Sequence, residues 1–391
     1  MQAFIKFLLS SLGLVRKQEF QAKVDLANDL SKTLAKREEQ LSLSRSTLLT
    51  TERALTTSQE ENRKLRDAAQ QERDRQDWCL PSLVEFPPGT PASFHEKTWK
   101  FRSVFLRDGA SPSDVSQQDQ FASPAQWALY WCVVHACRSA ANAVVAKVED
   151  GVSGEFLKAL ASEVGTASRF SAESGNLQIA YSAIFEHAKP AVKEADVGAD
   201  ILLIVAGQQV AGSGFARAFW IQAKKAEADA NQFILHYDQK NTRGLQVDAL
   251  TKVHRPNRGS FGLYVQYSKL PYVPAVSVSN LPRENGVLAA DLSDLGLCMP
   301  EYIVAHAGAG ARIGSFADTA EILAYLDEVS DMKPFYVATV TAEGGLELDQ
   351  KRANNQLLST ITGHYRQRLG LNRVAENDSA THSQRDRDFE M

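Results

Sequence analysis

Two neighbouring apolar stretches decide the fold: residues 200–206, DILLIVA, and residues 216–225, ARAFWIQAKK. Together they are rich in Ile, Leu, Val, Phe and Trp, which is the composition of buried strands. The intervening residues 207–214, GQQVAGSG, are polar and contain Gly, as turns do. The sequence therefore predicts two strands that are joined as a hairpin.

Polar residues stand at the ends of these predicted strands. Asp200 begins the first strand, while Gln222 and Lys224 are two residues apart near the end of the second, so their side chains point to one face. A hairpin brings these side chains and the Ala223 carbonyl together. Mg²⁺ takes oxygen ligands, and phosphodiester hydrolysis at neutral pH needs a cation that polarises the phosphate and activates water. These residues therefore indicate a hydrolytic site.

The hairpin and its surroundings resemble the PD-(D/E)XK superfamily of restriction-endonuclease-like nucleases, in the variant that has Gln in place of the second acid. Residues 194–205, EADVGADILLIV, and residues 219–225, FWIQAKK, carry the resemblance, which covers roughly residues 155–275. It implies an α/β fold with a restriction-endonuclease-like core, in which helices flank a mixed sheet. It also implies a metal-dependent endonuclease of the bacterial restriction or phage-defence kind, with DNA favoured over RNA as the substrate.

The resemblance also implies roles for particular residues. The catalytic set is Asp200, Gln222 and Lys224, joined by Glu173, an acid at the head of the predicted helix that precedes the hairpin. The implied ligands of Mg²⁺ or Mn²⁺ are Asp200, Glu173, the Gln222 amide oxygen and the Ala223 carbonyl. The alternative for Lys224 is a solvated strand end, and for Glu173 a helix N-terminal acid. Gln222 in place of an acid also leaves open an inactive nuclease fold.

The sequence around the hairpin alternates between helical and strand patterns, as an α/β protein requires. The predicted elements are helices over residues 156–164, 176–188, 245–254 and 319–329, and strands over residues 262–268 and 335–342.

A nucleic acid partner needs a local basic surface, because the formal net charge of the chain is -4. A basic run follows the second strand of the hairpin and could bind phosphates through local charge. A solvated basic loop is the alternative, and no helix-turn-helix or zinc-finger pattern is present. The residues predicted to bind nucleic acid are Lys225, Lys240, Arg243, Lys252, Arg255 and Arg258.

A long helix is predicted before the globular part. Residues 14–80 contain neither Gly nor Pro and mix acids with bases throughout. A heptad seam runs through them, with Leu at every seventh position from Leu34 to Leu55 and then Asn62. This pattern predicts a coiled coil that forms a parallel homodimer. The alternative is a single helix that lies along its own domain.

Residues 1–16 predict an amphipathic helix that contacts a partner or a membrane surface, unless they simply begin the coiled coil. They are too short to span a bilayer and lack the pattern of a signal peptide. Four cysteines without zinc-ribbon spacing indicate free thiols in a reducing, cytoplasmic compartment. Cys132, His135 and Cys137 are predicted to share one buried helix over residues 124–145 rather than a metal site.

The rival interpretation is a non-catalytic coiled-coil scaffold, or a nucleic-acid-binding protein with a degenerate nuclease fold. The predicted organisation is an amphipathic N-terminal helix over residues 1–16, a coiled coil over 17–80, a linker and helical entry segment over 81–150, a PD-(D/E)XK-like nuclease domain over 151–375 and a disordered tail over 376–391.

Overall fold

A computed structural model shows a mixed α/β protein with a long N-terminal helix, which confirms the α/β class. Glu173, Arg243 and the predicted tail over residues 376–391 lie outside the described residues. The structure describes residues 2–86, 88–111, 113–170, 177–183, 194–208, 214–226, 234–235, 240–241, 244–270, 272–281, 290–291, 296–307, 316, 321–322, 324–325, 328 and 336–340.

Helices and strands alternate along most of the described chain. The helices are α1 (Gln2–Trp78), α2 (Ala92–Phe105), α3 (Pro124–Ala143), α4 (Glu149–Phe170), α5 (Glu194–Val197), α6 (Gln246–Val253) and α7 (Met299–Ala307). The strands are β1 (Leu177–Ala183), β2 (Ile201–Gln208), β3 (Gly214–Lys225), β4 (Ile234–Leu235), β5 (Lys240–Asn241), β6 (Gly244–Leu245), β7 (Ser260–Tyr267), β8 (Pro274–Ser277), β9 (Ala290–Asp291), β10 (Leu297–Cys298) and β11 (Tyr336–Val340).

Helix α1 confirms the long helix that the sequence predicts. The chain divides into two compact units, residues 1–74 and residues 75–391, and α1 makes up nearly all of the first. Its seam residues Leu34, Leu41 and Leu55 are 63%, 61% and 58% exposed. Within the described ranges, no helix is long and apolar enough to cross a membrane.

The main sheet of the described chain has seven strands in the order β10-β8-β7-β3-β2-β1-β11. Strands β1, β2 and β3 form an antiparallel meander, whereas β7 runs parallel to β3. In the predicted hairpin, Ile201 pairs with Ile221 and Gln208 with Gly214. The ends of β3 and β7 therefore lie side by side, because parallel neighbours end at the same edge of a sheet.

Both faces of this sheet are covered, because its central strands are apolar on both sides. Leu203 and Ile221 belong to a buried core that also contains residues of α3, α4 and α7. Leu202 and Trp220 point to the other face, where they share a second core with Leu250 of α6. The sheet therefore lies between two helical layers, which accounts for its near-continuous apolar strands.

The segment that precedes α4 is built into the first of these cores. Arg102 of α2 and Glu301 of α7 form a buried ion pair at 2.8 Å, and the Tyr130 hydroxyl of α3 donates to the same Glu301 oxygen at 2.9 Å. The buried helix predicted around Cys132 and Cys137 is confirmed as α3. Both cysteines are free thiols, and burial raises their pKa, so they stay protonated.

The helix predicted over residues 176–188 is wrong, because Leu177–Ala183 is the strand β1. Leu177, Ile179 and Tyr181 recur at every second position, which is the period of a strand. The high apolar content of the stretch is equally compatible with a buried helix. Pairing with β2 decides between the two, since β1 supplies that strand's second set of backbone hydrogen bonds.

The other predicted elements that the structure describes are confirmed. The predicted helix over residues 156–164 lies within α4, and the predicted helix over residues 245–254 is α6. The strands predicted over residues 262–268 and 335–342 correspond to β7 and β11. The predicted helix over residues 319–329 is only partly described.

Gly198 allows the loop before β2 to pack directly against the backbone at the start of α6. Its φ is +67°, and a Cβ built on it would lie 2.3 Å from the backbone oxygen of Gln246. Gly198→Ala should therefore destabilise the protein, because the left-handed backbone alone costs about 1–2 kcal/mol with a Cβ and the clash adds to that. Denaturant unfolding measures the change.

Gly154 is the matched control, since it lies inside α4 with nothing within 4 Å of a built Cβ. Gly154→Ala should raise the free energy of unfolding by about 0.5–1 kcal/mol, the usual gain for Ala over Gly within a helix. If the two variants unfold at the same denaturant concentration, position 198 tolerates a Cβ and does not require glycine.

Candidate functional site

Asp200 lies at the end of the β2–β3 hairpin, where its backbone N–H donates to the Ile221 carbonyl at 2.8 Å. The carboxylate is 3% exposed, and its Oδ2 accepts hydrogen bonds from Gln222 Nε2 at 2.6 Å and from the Ala223 N–H at 2.7 Å. Charge-assisted bonds of this length are strong and hold the acid in one orientation. The structure thus brings Asp200, Gln222 and Ala223 together, as the hairpin predicts.

The Gln222 side chain is fully buried, and its two polar ends have different surroundings. Its Nε2 donates to Asp200 and, at 3.2 Å, to the Ala223 carbonyl. Its Oε1 has no hydrogen-bond partner among the described residues. The amide oxygen that the resemblance assigns to the metal is therefore a buried acceptor that a ligand could satisfy.

Lys224 shares the strand face of Gln222, and its ammonium contacts Glu149, an acid that is not among the predicted site residues. Lys224 Nζ lies 3.5 Å from Glu149 Oε1, with the two side chains 13% and 33% exposed. Glu149 is the first residue of α4, and its Oε2 accepts the backbone N–H of Lys225 at 2.9 Å. Glu149 therefore ties the start of α4 to the end of β3 and neutralises Lys224.

A sequence signal for Glu149 exists. Glu149 and Asp150 form an acidic first turn before the apolar helix, where carboxylates are favoured by the helix dipole. The helix predicted over residues 176–188 made Glu173 the expected acid. Because that stretch is a strand, the helix that precedes the hairpin's sheet is α4, and its leading acid is Glu149.

The electrostatics at this edge of the sheet are set by the two carboxylates. Burial, and to a smaller extent the charges of Asp200 and Glu149, raises the pKa of the Tyr267 phenol, which therefore stays protonated. Tyr267 pairs with Lys225 across β7 and β3. Two carboxylates therefore lie close enough to Tyr267 for their charges to disfavour the phenolate.

The oxygen atoms that could bind a hard cation here come from carboxylate, amide and backbone carbonyl groups together. In the described part of the chain, no group of three or more His, Cys, Asp or Glu residues is placed to hold a metal ion. The Asp200 carboxylate and the Ala223 carbonyl lie near each other, because both accept a hydrogen bond from Gln222 Nε2. The unpartnered Gln222 Oε1 belongs to the same amide, and the Glu149 carboxylate lies beside Lys224. Such oxygens are ligands of Mg²⁺ and Mn²⁺, although one amide in place of an acid lowers the ligand charge.

The two arginines of the predicted nucleic-acid surface are engaged elsewhere. Arg255 and Arg258 contact the two carboxylate oxygens of Glu328 at 2.6 and 3.1 Å, and both guanidinium groups lie over the Tyr325 ring. These arginines precede β7, whereas Lys224 pairs with Gln266 near the end of that strand. Roughly 20 Å of strand therefore separates the arginines from Lys224. The structure does not bring these arginines to Asp200.

The four lysine and arginine positions that remain in that prediction differ in their surroundings. Lys225 Nζ donates to the Lys147 carbonyl at 2.7 Å. Lys252 is exposed on α6, and Lys240 belongs to β5. Arg243 lies outside the described residues. Lys225 is thus the member of the predicted basic set that the structure places next to Lys224.

Comparison with known families finds one similarity. Residues 180–360 match the model of a family described as a family of unknown function (DUF6615). The match contains Asp200, Gln222 and Lys224, while Glu149 and α1 precede it. No curated protein and no solved structure matches the chain. The chain is therefore similar, across its hairpin and the elements that follow, to a family whose description gives no activity.

Proposed function

We propose that this protein is a metal-dependent nuclease of the PD-(D/E)XK kind that hydrolyses phosphodiester bonds, with DNA favoured over RNA. One observation carries the proposal: the buried Asp200 carboxylate is held by Gln222 and the Ala223 N–H at the hairpin end, with Lys224 on the same face as Gln222.

The order of the surrounding elements supports a restriction-endonuclease-like core. Helix α4 precedes the meander of β1, β2 and β3, and α6 then leads to β7, which joins the sheet parallel to β3. Helices cover both faces, which is the arrangement that the resemblance implies. On this proposal Glu149, at the head of α4, takes the place that the sequence analysis gave to Glu173.

Mg²⁺ or Mn²⁺ is the proposed cofactor, and the residues present fit it. Asp200, the Gln222 Oε1 and the Ala223 carbonyl would hold the ion, and Glu149 would add a second carboxylate. The buried Gln222 Oε1 lacks a partner, as a ligand atom should before the cation binds. When bound, the cation would polarise the phosphate and lower the pKa of a water.

The remaining chemistry belongs to the chain's own side chains. The Lys224 ammonium would stabilise the charge that grows on the phosphate oxygens, because a fixed cation in a partly buried site needs no reorganisation. Gln222 and the Ala223 N–H keep the Asp200 carboxylate oriented. The apolar residues on either side of the hairpin, such as Ile221 and Trp220, keep bulk water from the back of the site.

The experiment is a cleavage assay on plasmid DNA, single-stranded DNA and RNA with Mg²⁺ or Mn²⁺, with and without a chelator. The proposal expects cleavage that the chelator stops and that added cation restores. Mn²⁺ binding to purified protein is measured in parallel. A protein that binds Mn²⁺ but does not cleave would be an enzyme that needs an activator. Absence of both cleavage and Mn²⁺ binding would favour the rival scaffold, for which the long exposed helix α1 is the supporting observation.

We also propose that α1 pairs with α1 of a second copy in a parallel coiled coil. The exposed leucine seam needs a cover, and Asn62 on the seam is best satisfied by the same residue of a partner. In this register Glu61 of one copy lies next to Arg66 of the other, which is an attractive pair. The complementary heptad position carries Leu30 and Leu65 but also the polar residues Arg37 and Ser44, which make the pairing modest.

Leu41→Glu combined with Leu48→Glu should convert dimers to monomers, because it places like charges inside the seam. The matched control is Leu43→Glu with Leu49→Glu, which changes exposed leucines off the seam, 68% and 55% exposed. Light scattering on the full-length variants gives the mass per particle. Equal masses for the two double variants would show that the seam is not the contact between copies.

A further inference from the structure

Gln266 of β7 lies next to Lys224 in the sheet, although the two residues are far apart along the chain. The two residues are register partners in the parallel pairing of β3 with β7. Register partners point to the same face, and Gln222 shares that face because it lies two residues before Lys224. Gln222, Lys224 and Gln266 therefore form one polar group at the end of otherwise apolar strands.

The Gln266 side chain is 3% exposed, and its Oε1 has no hydrogen-bond partner among the described residues. A buried acceptor without a partner destabilises the folded state, and a leucine of similar volume would avoid that cost. Gln222 Oε1 has the same deficiency on the neighbouring strand. The proposed cation would satisfy Gln222 Oε1, whereas Gln266 Oε1, on the strand position that pairs with Lys224, still needs a hydrogen-bond donor.

We propose that Gln266 is a further catalytic residue, whose amide oxygen accepts a hydrogen bond from the water that attacks the phosphate next to Lys224. The proposal rests on the nuclease function proposed above. Water suits the position, because it donates to an acceptor while keeping a lone pair for the phosphorus. An amide suits the role as well, since its carbonyl oxygen accepts a hydrogen bond from the water without taking the proton.

Gln266 takes no proton in this step. The water oxygen forms a bond to phosphorus while the bond from phosphorus to one ester oxygen breaks, and that oxygen leaves with the electron pair. The proton that the water loses reaches the leaving oxygen through solvent. The amide oxygen of Gln266 fixes the direction of the attack, which is a positioning effect on the reacting atom itself.

The test uses Gln266→Leu and Gln266→Glu in the full-length protein. Gln266→Leu should lower kcat by roughly 10- to 100-fold, the order of loss that misplacing a reacting group causes. Its Tm should stay equal or rise, because the variant removes an unpartnered buried amide, and Mn²⁺ binding and the Kd for uncleaved DNA should not change. Gln266→Glu keeps an acceptor, so its activity should return at high pH and fall at low pH, where the parent has no such dependence.

The outcomes separate this inference from the function on which it rests. If the parent neither cleaves nucleic acid nor binds Mn²⁺, the proposed function fails and the role of Gln266 fails with it. If the parent cleaves and Gln266→Leu cleaves at the same rate, the role of Gln266 alone is overturned. If Gln266→Leu loses Tm and kcat together and Gln266→Glu recovers neither at high pH, Gln266 is a structural residue.

Discussion

Asp200→Asn is expected to abolish metal-dependent cleavage and Mn²⁺ binding while leaving the protein folded. The loss in rate should exceed the 10²- to 10³-fold that removing one electrostatic stabiliser typically costs, because Asp200 is the buried carboxylate of the hairpin site and Gln222 adds no charge to replace it. Asparagine keeps the size of the side chain and an oxygen that accepts the Ala223 N–H. Cleavage rates, Mn²⁺ titration and thermal unfolding measure the three properties.

Asp248→Asn is the control for this substitution, because Asp248 is an exposed acid in the first turn of α6. It should change neither Mn²⁺ binding nor cleavage. An Asp200→Asn protein that binds Mn²⁺ and cleaves as the parent does would make Asp200 a strand-entry acid whose hydrogen bonds only stabilise the hairpin. The nuclease proposal would then lose the residue on which it depends.

The central part of the fold could be predicted from local pattern alone. The strands β2 and β3 are long, apolar and separated by a Gly-containing turn, so local sequence is sufficient to specify them. The error at β1 has a definite cause: a short apolar stretch with Leu177, Ile179 and Tyr181 fits both periods. Its state depends on whether a strand is free to pair with it, which a linear pattern does not contain.

The candidate site was predictable to the extent that it is local. Asp200, Gln222 and Lys224 meet through a hairpin, which joins neighbours in sequence. Glu149 and Gln266 meet them through helix packing and a parallel crossover, and such contacts join residues far apart along the chain. Arg255 and Arg258 were expected near the site because they follow β3 in sequence. The crossover to the parallel strand β7 instead places them at the end of the sheet opposite Lys224.

The ion pair between Lys224 and Glu149 bears on how the site would work. At 3.5 Å and with Glu149 one-third exposed, the pair is weak enough for a phosphate to compete for the ammonium. If Glu149 turns to a cation, the contact of its carboxylate with the Lys224 ammonium is lost, and the ammonium can interact more strongly with the phosphate. Cation and substrate would then each favour the binding of the other, because both draw on the same pair.

Lys224→Ala is therefore expected to lower cleavage by roughly 10²- to 10³-fold, the usual cost of one lost electrostatic stabiliser, while Tm changes little. The ammonium matters chiefly in the transition state, where negative charge grows on the phosphate oxygens, so most nucleic-acid binding should remain. Lys100→Ala is the control, since Lys100 is an exposed lysine of α2 outside the predicted nucleic-acid-binding set, and it should cleave as the parent does. If Lys224→Ala cleaves as fast as the parent at saturating Mg²⁺, Lys224 has no part in catalysis and the nuclease assignment loses its main support.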